Sequence, residues 1–225
     1  MLAGTTIVFD LDGTLVDTAP DLIGATNHAL AQRELSPRTA AELRPWISFG
    51  ARRMIIEALR LSAHAANEPD VDALLEVFLV HYEANIARES RPFPHVIGAM
   101  ASLRQEGAVL AVCTNKREAL TLKLLDALQL TAEFAAIVGR DTLPVSKPHP
   151  GHLTGTIARA GGRTDAAIMV GDSAVDIATA RAAGVPVIGV TFGYTDTPIT
   201  KLAPDVVLTD YRELVPKVMQ LTTRS

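Results

Sequence analysis

The sequence predicts an α/β fold: a parallel, doubly wound sheet whose first strand is parted from the others by a helical insert. Six short apolar runs, at residues 6–9, 109–112, 135–138, 167–170, 187–190 and 205–208, recur without polar alternation. Unbroken apolar runs of this length suit strands covered on both faces, as parallel strands are. Segments of helical spacing separate the later runs, and strands alternating with helices are the signature of a doubly wound sheet. The interval from residue 10 to residue 108 holds no convincing strand, which marks much of it as a helical part of its own.

Taken in order, Thr6-Ile7-Val8-Phe9 forms the first strand and runs directly into Asp10. Residues 21–34, 51–61 and 71–88 then show helical patterning, and Leu74, Leu75, Phe78, Leu79 and Tyr82 lay a stripe along the last of them. Pro92 and Pro94 close this part. The insert is therefore read as residues 17–91, with residues 1–16 and 92–225 forming the core. The second strand, at 109–112, leads to Thr114, and the following helix carries Leu120, Leu124, Leu125 and Leu128. After the run at 135–138 comes a proline-rigid loop, Lys147-Pro148-His149-Pro150. The run at 167–170 ends in Gly171-Asp172, and a helix with Ile177, Ala180 and Ala183-Gly184 follows it. The runs at 187–190 and 205–208 complete the sheet. Neither internal repeats nor low-complexity tracts interrupt the pattern.

A length of 225 residues suits one core plus a modest second module, and 48% hydrophobic residues are enough to bury it. A net charge of -4 offers no basic excess for nucleic acid or an anionic membrane. Cys113 is the only cysteine, which excludes an intrachain disulfide and a thiolate zinc cluster. The first apolar stretch is cut short by Asp10 and Asp12, unlike a signal peptide, and no uncharged run approaches the ~18 residues of a membrane span. A cytoplasmic chain, monomeric or homodimeric, is the expectation.

Ligands of such sheets collect beyond the carboxyl ends of the strands. Asp10, Thr114 and Asp172 all stand there. Asp10-Leu11-Asp12-Gly13 sets two carboxylates on one side of an extended chain and lets the backbone turn back towards them. Paired carboxylates suit a hard cation such as Mg2+, or a division of labour between nucleophile and proton carrier. An isolated pair of this kind is more simply a solvated turn, but one that directly follows a buried strand is harder to read so. Asp176 lies four residues beyond Asp172 and faces the same way if a helix begins near Ser173. For this segment, helix capping and metal binding are equally good readings. Lys147 alone reads as a surface charge; beside the carboxylates it would neutralise them and a phosphoryl group. Thr114-Asn115 offers either an ordinary helix cap or a hydroxyl and backbone donors for phosphate.

These segments in this order resemble the motifs of the haloacid dehalogenase superfamily: DxDGT from Asp10, a strand-ending Thr114, Lys147, and GDxxxD from Gly171 to Asp176. The resemblance spans most of the chain. It implies a Rossmann-like core carrying a helical C1-type cap, with Asp10 as nucleophile and Asp12 as acid and base. It also implies Mg2+ held by the Asp10 carboxylate, the Asp12 carbonyl and Asp172. Thr114, Asn115 and Lys147 would hold the phosphoryl group, while Ser173 and Asp176 would stand behind the metal, Asp176 orienting Lys147 or a metal-bound water. An acid at position 12 sets the chain apart from the family's dehalogenases and ion-pumping ATPases and favours turnover of a small phosphate monoester.

Residues 17–22, 27–30 and 49–53 resemble the phosphoglycolate phosphatase branch. That implies a substrate carboxylate, 2-phosphoglycolate, met by a helix opened at Gly50 and by Arg52 or Arg53. Either arginine alone is better read as a solvated helix face. His28 stands near enough to the first motif to touch substrate, whereas the other histidines are read as structural. Three alternatives remain open: a phosphosugar phosphatase, a β-phosphoglucomutase-like enzyme, and an aspartyl-phosphate receiver module. The first-strand DxDGT argues against the receiver.

Overall fold

A computed structural model describes residues 1–223. Its strands are β1 (Thr6–Phe9), β2 (Val16–Asp17), β3 (Arg91–Pro92), β4 (Val109–Cys113), β5 (Ala136–Val138), β6 (Ala167–Gly171), β7 (Val187–Val190) and β8 (Val206–Leu208). A 6-stranded sheet, all parallel, runs in the order β5-β4-β1-β6-β7-β8. Side chains alternate in strict period two between two apolar layers. Ile7 and Phe9 on β1, Leu110 and Val112 on β4, and Ile168 and Val170 on β6 enter one layer. Val8, Ala111, Cys113 and Met169 enter the other. Both layers are closed to water, so the strands of this sheet, Thr6 apart, are apolar at every position rather than at every second one.

Helices α1 (Ala19–Ala31), α2 (Ala40–Leu43), α3 (Ala51–Leu61) and α4 (Glu68–Ala84) precede β3. Of the later ones, α5 (Val96–Gln105), α6 (Glu118–Ala127) and α9 (Leu214–Thr222) cover the first layer, while α7 (Pro150–Arg159) and α8 (Ala174–Ala183) cover the second. No helix among the described residues is long and apolar enough to cross a membrane.

The first four helices all leave the core through β2 and return through β3, an antiparallel pair joining Val16 to Pro92 and Asp17 to Arg91. Next to this ribbon the buried Asp21 carboxylate accepts hydrogen bonds from the Ser90 amide at 2.8 Å and the Ser90 hydroxyl at 2.6 Å, tying the exit of the insert to its first helical turn. Within the insert α1 packs on α3 and α4, and Leu74, Phe78 and Tyr82 are the buried members of the α4 stripe. This helix starts three residues earlier than periodicity suggests because Asn67 accepts the Asp70 amide at 3.0 Å and Pro69 sits in the first turn. The sequence reading also passed over α2 and the 3-10 turn Arg44–Phe49. Both are too short to show periodicity; α2 exists through the capping box between Thr39 and Glu42.

Candidate active site

Since β4 and β6 flank β1, the residues that follow these three strands meet at one edge of the sheet. Asp10 and Thr114 extend the ladder one step past their strands: the Asp10 amide donates to Val170 at 2.9 Å and the Thr114 amide to Val138 at 3.0 Å. The strands β4 and β5 are laid down on one side of β1 and β6, β7 and β8 on the other, which makes this edge a topological switch point.

Asp10, Asp172 and Asp176 are buried, and one carboxylate oxygen from each lies within 4.8 Å of the others. Their mutual repulsion is met by one buried ammonium. Lys147 Nζ stands 2.6 Å from Asp176 Oδ1 and 2.9 Å from Asp10 Oδ1. The first contact is an aligned hydrogen bond; the second is an ion pair out of line, so among the described residues Asp10 Oδ1 has no aligned hydrogen-bond partner. Three carboxylates against one ammonium, with Asp10 Oδ1 met by the Lys147 ion pair alone, fit a hard divalent cation. Burial, offset by Lys147 and reinforced by Asp176, raises the Asp10 pKa to about 6. Burial and the two neighbouring carboxylates push Asp172 well above its ordinary value. Burial alone would discharge Lys147, yet Asp10 and Asp176 outweigh it and hold the ammonium above its usual pKa.

The flanking sequence explains why these groups can approach. Gly13 adopts φ +86°, and a Cβ there would stand 2.5 Å from Asp172 Oδ2; one on Gly193 would stand 2.1 Å from Asp172 Cβ. These two glycines let the backbone close over the Asp172 carboxylate, which accepts the Tyr194 amide at 2.7 Å and the Thr14 hydroxyl at 3.2 Å. Ser173 and Asp176 form a capping box at the start of α8, in which Asp176 Oδ2 accepts the Ser173 hydroxyl at 2.7 Å. The capping reading holds for one Asp176 oxygen, while the other faces Lys147.

Asp12 points elsewhere. Its carboxylate accepts Lys116 Nζ at 2.9 and 3.1 Å and the Thr18 hydroxyl at 2.7 Å. It takes no part in the carboxylate triad, so the sequence-derived ligand role of this residue concerns its carbonyl alone. A cavity of about 360 Å³ separates core from insert. Asp10, Asp12, Thr114, Asn115, Lys147 and Ser173 line its core side; Phe49, Arg52, Leu75, Leu79 and Tyr82 line the other. Thr114 is buried, its hydroxyl accepting the Lys116 amide at 3.2 Å, and Asn115 Nδ2 donates to the Lys147 carbonyl at 2.9 Å while its Oδ1 has no hydrogen-bond partner among the described residues.

The expectations for the insert need correction. Gly50 does open α3, yet Arg53 does not line the cavity; Glu57 holds it at 2.7 Å and its guanidinium lies over the Trp46 ring. Arg52 is on the cavity wall, but its guanidinium is occupied by Glu68 and Asp72. A carboxylate-rich α4 facing α3, invisible to a local reading, draws it there. His28 stacks on His81 with 4.0 Å between ring centres and does not line the cavity. Sequence reasoning missed Lys116, although it directly follows Thr114-Asn115, and took Tyr82 for helix packing only.

The family model described as haloacid dehalogenase-like hydrolase matches residues 7–190. A phosphoglycolate phosphatase of Agrobacterium fabrum is 49% identical over 95% of this chain and 91% of its own length. One of Mesorhizobium japonicum is 47% identical over 97% and 96%. The crystal structure of a predicted phosphoglycolate phosphatase from Haemophilus somnus superposes with a TM-score of 0.88 at 30% identity, covering 96% of this chain and 98% of that one.

Proposed function

We propose that this chain, which belongs to the haloacid dehalogenase-like hydrolase family, is a phosphoric monoester hydrolase converting 2-phosphoglycolate to glycolate and phosphate. The observation that carries the reading is the meeting of Asp10, Asp12, Thr114 and Lys147 in one cavity. Near-full-length likeness to phosphoglycolate phosphatases supports the substrate.

In this reading Asp10 attacks phosphorus, and an oxygen–phosphorus bond forms on its carboxylate as the ester bond breaks. Asp12 gives a proton to the leaving glycolate oxygen. It then takes one from the water that attacks the aspartyl-phosphate, which returns Asp10 and releases phosphate. The Thr114 hydroxyl and Lys147 ammonium hold the phosphoryl oxygens as charge shifts across them, and Asp176 keeps Lys147 in place through the 2.6 Å contact. Asp10 and Asp172, with Asp176 beside them and the Asp12 carbonyl as a further donor, would hold Mg2+. When bound, Mg2+ neutralises the charge that otherwise keeps an anionic nucleophile from an anionic ester. The helical insert serves as the cap that shuts water out. A small phosphorylated metabolite as partner and a cytoplasmic setting go with this reading, and the net charge of -4 offers no basic excess for nucleic acid.

The test is phosphate release from 2-phosphoglycolate with Mg2+, repeated with a chelator and with Asp10→Asn. We expect many turnovers without any bisphosphate activator, and a fall to background in both controls. Wild-type-like hydrolysis by Asp10→Asn would remove the nucleophile assignment. A strict need for a bisphosphate would favour the mutase reading.

A further inference from the structure

We propose that Lys116 and Tyr82 together form the subsite that reads the carboxylate of the substrate; this rests on the phosphoglycolate reading above. The ester oxygen must come within hydrogen-bond reach of Asp12, roughly 3 Å, to receive its proton. Lys116 Nζ is itself 2.9 and 3.1 Å from the two Asp12 oxygens. In 2-phosphoglycolate one methylene separates the ester oxygen from the carboxylate, so the second negative charge falls beside this ammonium.

The other cations of the site are paired away from Asp12, exposed or remote. Lys147 is held between Asp10 and Asp176, Arg52 between Glu68 and Asp72, and Arg53 lies off the cavity. Arg117 and Arg140 line the cavity but are exposed to solvent. Lys116 is paired too, with both oxygens of Asp12, but that partner is the group the ester oxygen must itself reach; its side chain is 6% exposed, and the ammonium sits 4.6 Å from the centre of the Tyr82 ring.

A second observation points to the same place. The Tyr82 side chain is buried and lines the cavity; the Lys116 ammonium stands beside its oxygen, but among the described residues the hydroxyl finds no acceptor for its own proton. An orphaned buried donor is costly and calls for an acceptor supplied from outside. Burial also pushes the phenol up to about 12, so it remains a donor at neutral pH. A carboxylate has two oxygens: one meets the ammonium, the other the phenol. Because Lys116 belongs to the core and Tyr82 to α4 of the insert, a carboxylate bound between them joins the two halves of the enzyme across the cavity.

The experiment compares kcat/KM for 2-phosphoglycolate with that for ethyl phosphate, which replaces the carboxylate by a methyl group. We expect wild type to prefer 2-phosphoglycolate, Lys116→Met to lower the ratio of the two values about 100-fold, and Tyr82→Phe to lower it about 10-fold. Reading a ratio separates recognition from any common effect on Asp12. Equal losses on both substrates would mean that Lys116 only positions Asp12, and the proposal would be overturned. An unchanged ratio in Tyr82→Phe, which keeps the ring over Lys116, overturns it as well and decides the matter if Lys116→Met does not fold. A wild type that shows no preference removes the substrate reading itself, and the subsite with it.

Discussion

Asp176 has no solvent exposure at all, and it keeps a carboxylate there because Ser173 and Lys147 surround it. Lys147 is in turn the single buried positive charge among three acids. Its replacement by Met should therefore destabilise the Mg2+-free protein by about 3–5 kcal/mol in urea unfolding, the cost of leaving buried charge uncompensated. A loss under ~1 kcal/mol would mean that the triad does not depend on it. The raised Asp10 pKa has a definite consequence for pH. Between the ordinary value of 3.8 and about 6 the folded chain binds more protons than the unfolded chain. Stability without metal accordingly falls as pH rises through that window and stays lower above it. Cation binding competes with the same protons, so the rise in Tm caused by Mg2+ should be small at about pH 5 and larger at about pH 7.5. A Tm shift independent of pH would contradict this account of the triad. Arg53, held by Glu57 and Trp46, serves as a control: Arg53→Ala should change the preference for 2-phosphoglycolate by less than about 3-fold.

At the scale of elements, the turn after β1 depends on a residue without a side chain. Gly13→Ala would combine a left-handed backbone with a contact 2.5 Å from Asp172 Oδ2. A loss of about 1–3 kcal/mol is expected, with a weaker Tm response to Mg2+ because Asp172 must move. A normal Mg2+ response in that variant would show that the carboxylate is not confined as described. Much of this architecture was legible in the sequence. The strands were visible because both layers demand apolar residues at every position, and the polar residues that end β1, β4 and β6 broke those runs sharply. What escaped the reading depends on contacts between distant segments. Glu68 and Asp72 of α4 capture Arg52 of α3, Lys116 answers Asp12, and Tyr82 turns from packing to the cavity wall. No local spacing records which helix face will meet which loop.

At the scale of the whole molecule, a chain of net charge -4 concentrates ammonium groups where it handles anions. The insert rests on the core through directed contacts outside the ribbon. Ser48 donates to the Tyr194 carbonyl at 3.0 Å, the Arg44 guanidinium lies over the Tyr194 ring, and Lys123 pairs with Glu83 at 3.1 Å. The last pair is exposed, and Lys123→Ala should alter stability by less than about 1 kcal/mol in a thermal melt. Tyr194 matters more, since its amide holds Asp172, its hydroxyl meets Asp17 of β2 and its carbonyl meets the insert. In the proposed mechanism all of this serves one chemical event on the residue that follows β1. The most direct measurement is acid quenching of the enzyme during turnover of labelled 2-phosphoglycolate with Mg2+, followed by peptide mapping of the bound phosphoryl group. The account predicts label on Asp10 alone and none on Asp10→Asn; label on another residue, or steady turnover with the Asp10→Asn chain, would contradict it.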